Sequence, residues 1–340
     1  GILDKEIAVA LKFYKPIRSM SCLSDEGTTE EDNSSFQHEA EIMSLLSESD
    51  FVVRLYGVQH DMHNICNVLV MEVAICTLCE LLYKTTPGES ALAPASWSPR
   101  HFVSLSSKLS ILLDAATAIE HTHAQEISHN DIKPDNFLFF SSGHLKLTDF
   151  GLSSSTAITD SPPKPSHPPS RHHRKSPKAN PKKSGTPADS NTSENISLGS
   201  LPKVLRKGNT IYQSPELFIA PARYTSACDV YAFGILMNET LTQIKPFQFT
   251  AGAMLPIQIC GGARPTPLYG ENNSHEEPTS ATEHSDPAEF SRRPRSDSSL
   301  PLDETTKRLR HLIRTCWDAK DKDRPFASSV CKTLAKVLDM

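Results

Sequence analysis

No apolar run among the 340 residues is long enough to span a membrane. The first residues also lack the charged-then-apolar pattern of a secretory signal peptide. Cysteine is present but not organised. Eight are scattered along the chain, Cys76 and Cys79 form the one close pair, and no second pair or histidine set completes a zinc site. That pair sits in an apolar run, as reduced thiols in or near a core do. These absences argue against a helical membrane protein, a disulfide scaffold and a zinc module. By default they set a cytoplasmic, reducing location as the expectation.

Large apolar residues are also scarce. Apolar types make up 38% of the chain, low for a compact globule, and prolines number 25. Two stretches, about 153–201 and 264–302, are so polar that burial cannot offset their ordering entropy, so both are expected to be disordered inserts. The net charge of -5 says less than its distribution. Within residues 171–183, Arg171, Arg174, Lys175, Lys178, Lys182 and Lys183 form a basic patch. It suits an anionic partner such as nucleic acid, lipid or an acidic protein, or an import receptor that would make a nuclear location possible; a solvated tail without a partner is equally open.

What the chain does have is one dense stretch, residues 129–151, reading HNDIKPDNFLFFSSGHLKLTDFG. Three polar clusters sit in it: His129-Asn130-Asp131, Lys133 to Asn136, and Asp149-Phe150-Gly151. Two apolar patches, 137–140 and 145–148, lie between them, parted by Ser141-Ser142-Gly143. The pattern is two short strands joined by a tight turn, with acidic groups at both outer ends. Pairing the strands brings Asp131, Asn136 and Asp149 to one small volume. Two carboxylates and an amide are oxygen donors that suit Mg²⁺, and Lys133 beside them suits a phosphate. A surface hairpin with acidic ends is the plain alternative, but three clusters in this order and spacing outweigh it.

Around this stretch the periodicity predicts further elements. Residues 6–14 (EIAVALKFY) form a β-rich run with one cation, Lys12. Residues 19–35 read as a loop or frayed helix start. In residues 36–46, Phe36, Ile42, Met43 and Leu46 make one helical stripe, and Glu39 lies closer to it than Glu41. Residues 51–58 and 67–73 read as strands, 77–84 as a short helix and 105–123 as a long one. Residues 309–317 and 328–338 close the chain as helices.

HNDIKPDN resembles the catalytic loop of eukaryotic protein kinases, and DFG their metal-binding motif. The resemblance implies an α+β, bilobal protein-kinase-like fold. A small antiparallel-sheet lobe would cover 1–72 and a larger, mainly helical lobe 73–340, with the two inserts in the latter. It implies an ATP-dependent protein serine/threonine kinase that transfers the γ-phosphate to hydroxyls of a protein substrate. Asp131 would orient the substrate hydroxyl, Lys133 steady the transferring phosphate, and Asn136 and Asp149 hold Mg²⁺. Val9-Ala10-Leu11-Lys12 is similar to the family's Val-Ala-Ile-Lys strand, which puts Lys12 on the ATP phosphates and Ala10 against the adenine. Glu39 would be the ion-pair partner of Lys12. Met71 would close the back of the pocket, the backbone from Glu72 to Ala74 would bond the base, and Leu138 would join the nucleotide-binding set.

Other motifs follow in the same order. Residues 208–216 resemble Gly-Thr-x-x-Tyr-x-Ala-Pro-Glu, Asp229 the buried Asp that anchors the catalytic loop (a helix cap being its plain role), and Arg324 the partner of Glu216. His129 would pack on Phe150. Cys316-Trp317 resembles the tyrosine-kinase-like branch, similar to receptor-interacting and mixed-lineage kinases.

The chain departs from the family in three places. It carries no glycine-rich loop, so a product truncated before the second half of the small-lobe sheet is expected. Asn130 stands where most kinases place Arg, and an amide cannot pair with an activation-loop phosphate; activity independent of that phosphorylation is expected. Asn209 replaces a Thr, and its amide can still hydrogen-bond Asp131 and Lys133. A non-catalytic scaffold with the kinase shape is the rival reading.

Overall fold

The computed structural model describes residues 2–3, 7–14, 28–60, 67–83, 104–155, 209–219, 221–266 and 303–340. The basic patch and, apart from their ends, both expected inserts lie outside the described residues, as does the loop at 85–100.

The β-rich run at residues 6–14 is realised as a strand. It is the second of a four-stranded antiparallel sheet, order β1-β2-β4-β3, built from β1 (Ile2–Leu3), β2 (Ile7–Tyr14), β3 (Leu55–His60) and β4 (Asn67–Glu72). The register sets Ala10 opposite Met71 and Lys12 opposite Leu69. Helix α1 (Thr28–Leu45) packs against the sheet through Phe36, Ile42 and Met43, with Leu46 just beyond its end. It starts eight residues before the predicted stripe, at Thr28 rather than Phe36. No Pro or Gly interrupts residues 28–35, and their Glu30, Glu31 and Asp32 favour a helix N-terminus.

Residues 51–58 do not make one strand. β3 begins only at Leu55, because residues 51–53 turn to the other lobe: the Val53 amide donates to Leu147 O and the Leu147 amide to Phe51 O, each at 2.9 Å. This short parallel bridge joins the sheet lobe to the hairpin.

The hairpin is as read, β7 (Phe137–Phe139) against β8 (Leu145–Leu147), with Phe137 opposite Leu147. Its turn needs Gly143, which sits at φ +86°. β5 (Cys76–Thr77) extends this sheet and leads into α2 (Leu78–Tyr83). β6 (Ile127–Ser128) pairs with β9 (Ser154–Ser155) beside it.

The helical lobe is centred on α3 (Leu105–Ala124) and α4 (Ser226–Thr242). α3 is capped by Ser104, whose Oγ accepts from the Ser107 amide at 3.1 Å. α4 is buried on every side from Cys228 to Leu241, which is what an apolar core helix requires. α5 (Leu255–Cys260), not predicted from the sequence, packs against the turns at Thr210–Tyr212 and Pro215–Phe218; α6 (Glu304–Cys316) and α7 (Ala327–Leu338) close the lobe. The antiparallel-sheet lobe and the helical lobe together make the expected bilobal α+β architecture. Among the described residues no helix is long and apolar enough to cross a membrane.

α4 and α6 meet at Gly234. A Cβ there would lie 2.9 Å from Cys316 Cβ and 3.2 Å from the Trp317 amide nitrogen. Gly234→Ala is therefore expected to cost about 1–3 kcal/mol through overpacking. Urea unfolding measures this, and an unmoved midpoint would contradict the close packing.

Candidate active site

Alternation along β2 sends Ala10, Lys12 and Tyr14 to one face of the sheet. Lys12 Nζ lies 2.9 Å from both Glu39 carboxylate oxygens and 2.7 Å from Asp149 Oδ1. Glu39 is fully buried while Glu41 is exposed, so the helical stripe had separated the two correctly in space. Burial pushes the Glu39 carboxyl up, and Lys12 draws it back. Burial would lower Lys12, but Glu39 and Asp149 together carry it above its ordinary value. For Asp149, burial acts upward and Lys12 more than reverses it, so its carboxyl sits below the ordinary range. Lys12 and Asp149 therefore stay charged at neutral pH.

Asp131, Lys133 and Asn136 form a second knot. Lys133 Nζ is 2.5 Å from Asp131 Oδ2. Asn136 Nδ2 donates to Asp131 O at 2.8 Å and to Asp131 Oδ2 at 3.0 Å. A single helical turn, Pro134–Asn136, makes this possible by aiming Asn136 back at the loop. The Thr148 amide donates to Asn136 O at 3.0 Å, which brings the start of the Asp149 segment to the same place. Asp149 adopts a left-handed φ of +66° and Asn130 one of +68°. Non-glycine residues held there cost about 1–3 kcal/mol each and cluster at working sites.

One buried carboxylate carries the loop backbone. Asp229 accepts from the His129 amide at 2.7 Å and the Asn130 amide at 2.8 Å. His123 Nε2 lies 2.9 Å from the same carboxylate, a contact that the sequence reading missed. Asp229 is not the helix cap: α4 opens at Thr225, whose amide donates to Cys228 Sγ at 3.5 Å. His129 is buried against Phe150 with ring centroids 4.8 Å apart. Burial lowers its pKa, so it is neutral. Nε2 then donates to Thr148 O at 2.9 Å and Nδ1 accepts from the Asp131 amide at 3.3 Å.

Asn209 differs from expectation, and Asn130 and Glu72 make contacts that local pattern does not foretell. The Asn209 side-chain oxygen accepts from the Ile211 amide at 3.2 Å, closing its own turn rather than reaching Asp131 or Lys133. The Asn130 side chain donates to Leu152 O at 2.8 Å and Ser154 Oγ at 2.9 Å, so it ties down the segment after Asp149 with uncharged bonds. Glu72 contributes more than backbone: its carboxylate binds Lys146 Nζ at 2.8 and 2.9 Å and accepts from the Arg54 amide at 2.7 Å. Its own amide is taken by Arg54 O at 3.1 Å.

Ala10 and Met71 stand opposite each other on the sheet, while Ala74 and Leu138 lie half-buried in the other lobe. Beyond the cleft, Arg324 binds Glu216 in bidentate form at 2.7 and 2.8 Å, as expected. Glu239, unremarked in the sequence, accepts from Tyr83 Oη at 2.5 Å and Tyr212 Oη at 2.7 Å. It joins α2, α4 and the turn after Asn209. Tyr14 was also missed, although two-residue alternation from Lys12 places it on the cleft face.

Replacing Asp229 by Asn swaps an acceptor oxygen for a donor that faces an amide donor. Asp229→Asn is expected to destabilise the protein by about 1–3 kcal/mol. It should also speed hydrogen exchange at the His129 and Asn130 amides; unchanged exchange would contradict the anchoring role.

The family model "Protein kinase domain" matches residues 12–167, and "Protein tyrosine and serine/threonine kinase" matches residues 200–334. A probable LIM domain-containing serine/threonine-protein kinase of Dictyostelium discoideum is 26% identical over 230 residues, covering 68% of this chain and 24% of that protein. A probable serine/threonine-protein kinase of the same organism is 26% identical over 330 residues, covering 96% of this chain and 17% of its own length. A protein kinase and PP2C-like domain-containing protein of Arabidopsis thaliana is 27% identical over 256 residues, covering 71% of this chain and 30% of its own. The chain spans less than a third of the length of these relatives. With the two-lobed fold and the clustered Lys12, Glu39, Asp131, Asn136 and Asp149, these matches identify the chain as a protein kinase domain.

Proposed function

We propose that the chain is a catalytic protein serine/threonine kinase, moving the γ-phosphoryl group of ATP to a hydroxyl of a protein substrate. One observation carries the proposal: Lys12 joins Glu39 and Asp149 at 2.9 and 2.7 Å. That arrangement puts a cation beside a metal-type carboxylate, in reach of the Asp131, Lys133 and Asn136 knot.

The residues fit ATP with Mg²⁺. Asn136 commits its amide nitrogen to Asp131, which leaves its carbonyl oxygen for a cation. The Asp149 side chain is 43% exposed and ionised. These are hard oxygen donors. ATP supplies the phosphoryl group, and Mg²⁺ offsets its charge. Lys12 would hold the phosphates, with Glu39 fixing its position. Asp131 would orient the substrate hydroxyl and take its proton. Lys133, paired to Asp131, would meet charge on the transferring group. Ala10, Met71 and Leu138 would enclose the base, which would bond the hinge through the Glu72 carbonyl and the Ala74 backbone. The contribution is positioning and electrostatic stabilisation.

Lys133 two residues after Asp131 and the names of the relatives support Ser/Thr specificity. Membership of the tyrosine-kinase-like branch rests on Cys316-Trp317 alone. We take the lobes to divide at Glu72, and an anionic partner for Arg171 to Lys183 rests on charge only. A cytoplasmic setting, or a nuclear one through that patch, is likewise part of the proposal.

Transfer of labelled phosphate from ATP and Mg²⁺ to a generic protein tests the proposal. Label should appear on Ser or Thr and fall by about a hundredfold or more in Asp131→Asn, the loss expected for a general base. It should also vanish in Asp149→Ala. No transfer by folded wild-type protein would overturn the proposal and leave the non-catalytic scaffold.

A further inference from the structure

Tyr14 touches every part of the Lys12–Glu39 pair. Its hydroxyl donates to Glu39 Oε2. Its ring meets Phe36 edge-on, with centroids 5.3 Å apart and planes at 65°. Lys12 Nζ lies 5.4 Å from the ring centroid. Phe36 and Glu39 are three residues apart and so share one face of α1. A single side chain on β2 thus grips the helix at two points and flanks the lysine that the helix must meet.

The need for this contact follows from the geometry. Glu39 is fully buried, and a buried carboxylate is costly unless well supplied with donors. Lys12 reaches both of its oxygens, but Lys12 is shared with Asp149 at 2.7 Å. The phenol is a donor for which Asp149 does not compete. It is also neutral, so it draws no second carboxylate into the site.

We propose that Tyr14 is a positioning residue: it latches Glu39 and α1 against β2, so that Lys12 can serve Glu39 and Asp149 at once. The inference rests on the reading of this cleft as an ATP site and adds how that site is held assembled. A second tether supports it. The next side chain back on α1, His38, places Nε2 2.9 Å from Ser153 O and 3.1 Å from Ser153 Oγ. Asn130 holds the same segment from the other lobe through Leu152 and Ser154. Helix and segment are thus pinned to each other and to the second lobe by these hydrogen bonds.

Tyr14→Phe in the full chain keeps the ring contacts and removes the hydroxyl. KM for ATP is expected to rise about tenfold, the loss of one hydrogen bond to a charged group, with kcat changing less. In a Glu39→Gln background the same substitution should have a much smaller effect, because the partner is already altered. Hydrogen exchange should speed up across residues 36–45 of α1 and not in α3. An unchanged KM with unchanged α1 exchange would overturn the latch. So would an equal effect with and without Glu39, which would put the hydroxyl's role elsewhere. Exchange needs no catalysis: if wild-type protein transfers no phosphate, faster α1 exchange still supports the latch and unchanged exchange still rejects it.

Discussion

One ammonium group lies between two carboxylates that come from different lobes. Lys12 reaches Glu39 on α1 and Asp149 beyond the hairpin, at 2.9 and 2.7 Å. Much of the structure can be read as what this arrangement requires. β2 must hold its register with β4, or Lys12 would turn to the other face of the sheet. α1 must present Glu39 with Phe36 and Met43, which fixes its rotation. Asp149 must adopt a left-handed backbone, which the surrounding contacts have to sustain. Partial burial weakens solvent screening, so Lys12 attracts both carboxylates strongly while they repel each other, and losing the cation would leave that repulsion uncompensated.

The helical lobe repeats this logic with acids that hold loops. Asp229 takes two backbone amides and a histidine. Asp114 on α3 takes the Leu145 amide at 3.0 Å and lies 3.2 Å from His144, fixing the hairpin. Glu216 is held by Arg324, which overrides burial and keeps its carboxyl below the ordinary range. Glu239 takes two phenols. Each acid satisfies donors that a loop cannot satisfy within itself. The helices and the hairpin thus set the geometry of the chemistry-bearing turns: Asp131 is placed by α4 and Asp149 by the hairpin.

The parts legible in the sequence were those governed by short-range pattern. The hairpin showed in residues 137–147 because strand alternation, Gly143 and flanking polar clusters agree. Glu39 could be preferred over Glu41 because a helical stripe has a phase. The start of α1 could not be read, since its first turns carry no apolar period and only their acidic character favours a helix. The strand expected at 51–58 starts only at Leu55 because residues 51–53 are apolar for a different reason, pairing across the lobes. The partners of Asp229, Asn130 and Asn209 lie in conflict with or beyond local pattern. His123 is 106 residues from Asp229, and nothing in its own segment marks it. Tyr14 could have been found by counting two along β2, but its value depends on a helix whose distance from the strand the sequence does not encode.

The proposed function makes these charges a nucleotide–metal site. Calorimetric titration of ATP into the protein, with and without Mg²⁺, tests it most directly, beside Lys12→Met. ATP should bind, Mg²⁺ should strengthen that binding, and Lys12→Met should weaken it severely. Folded protein that binds no ATP, or binds it equally without Mg²⁺ and Lys12, would contradict it.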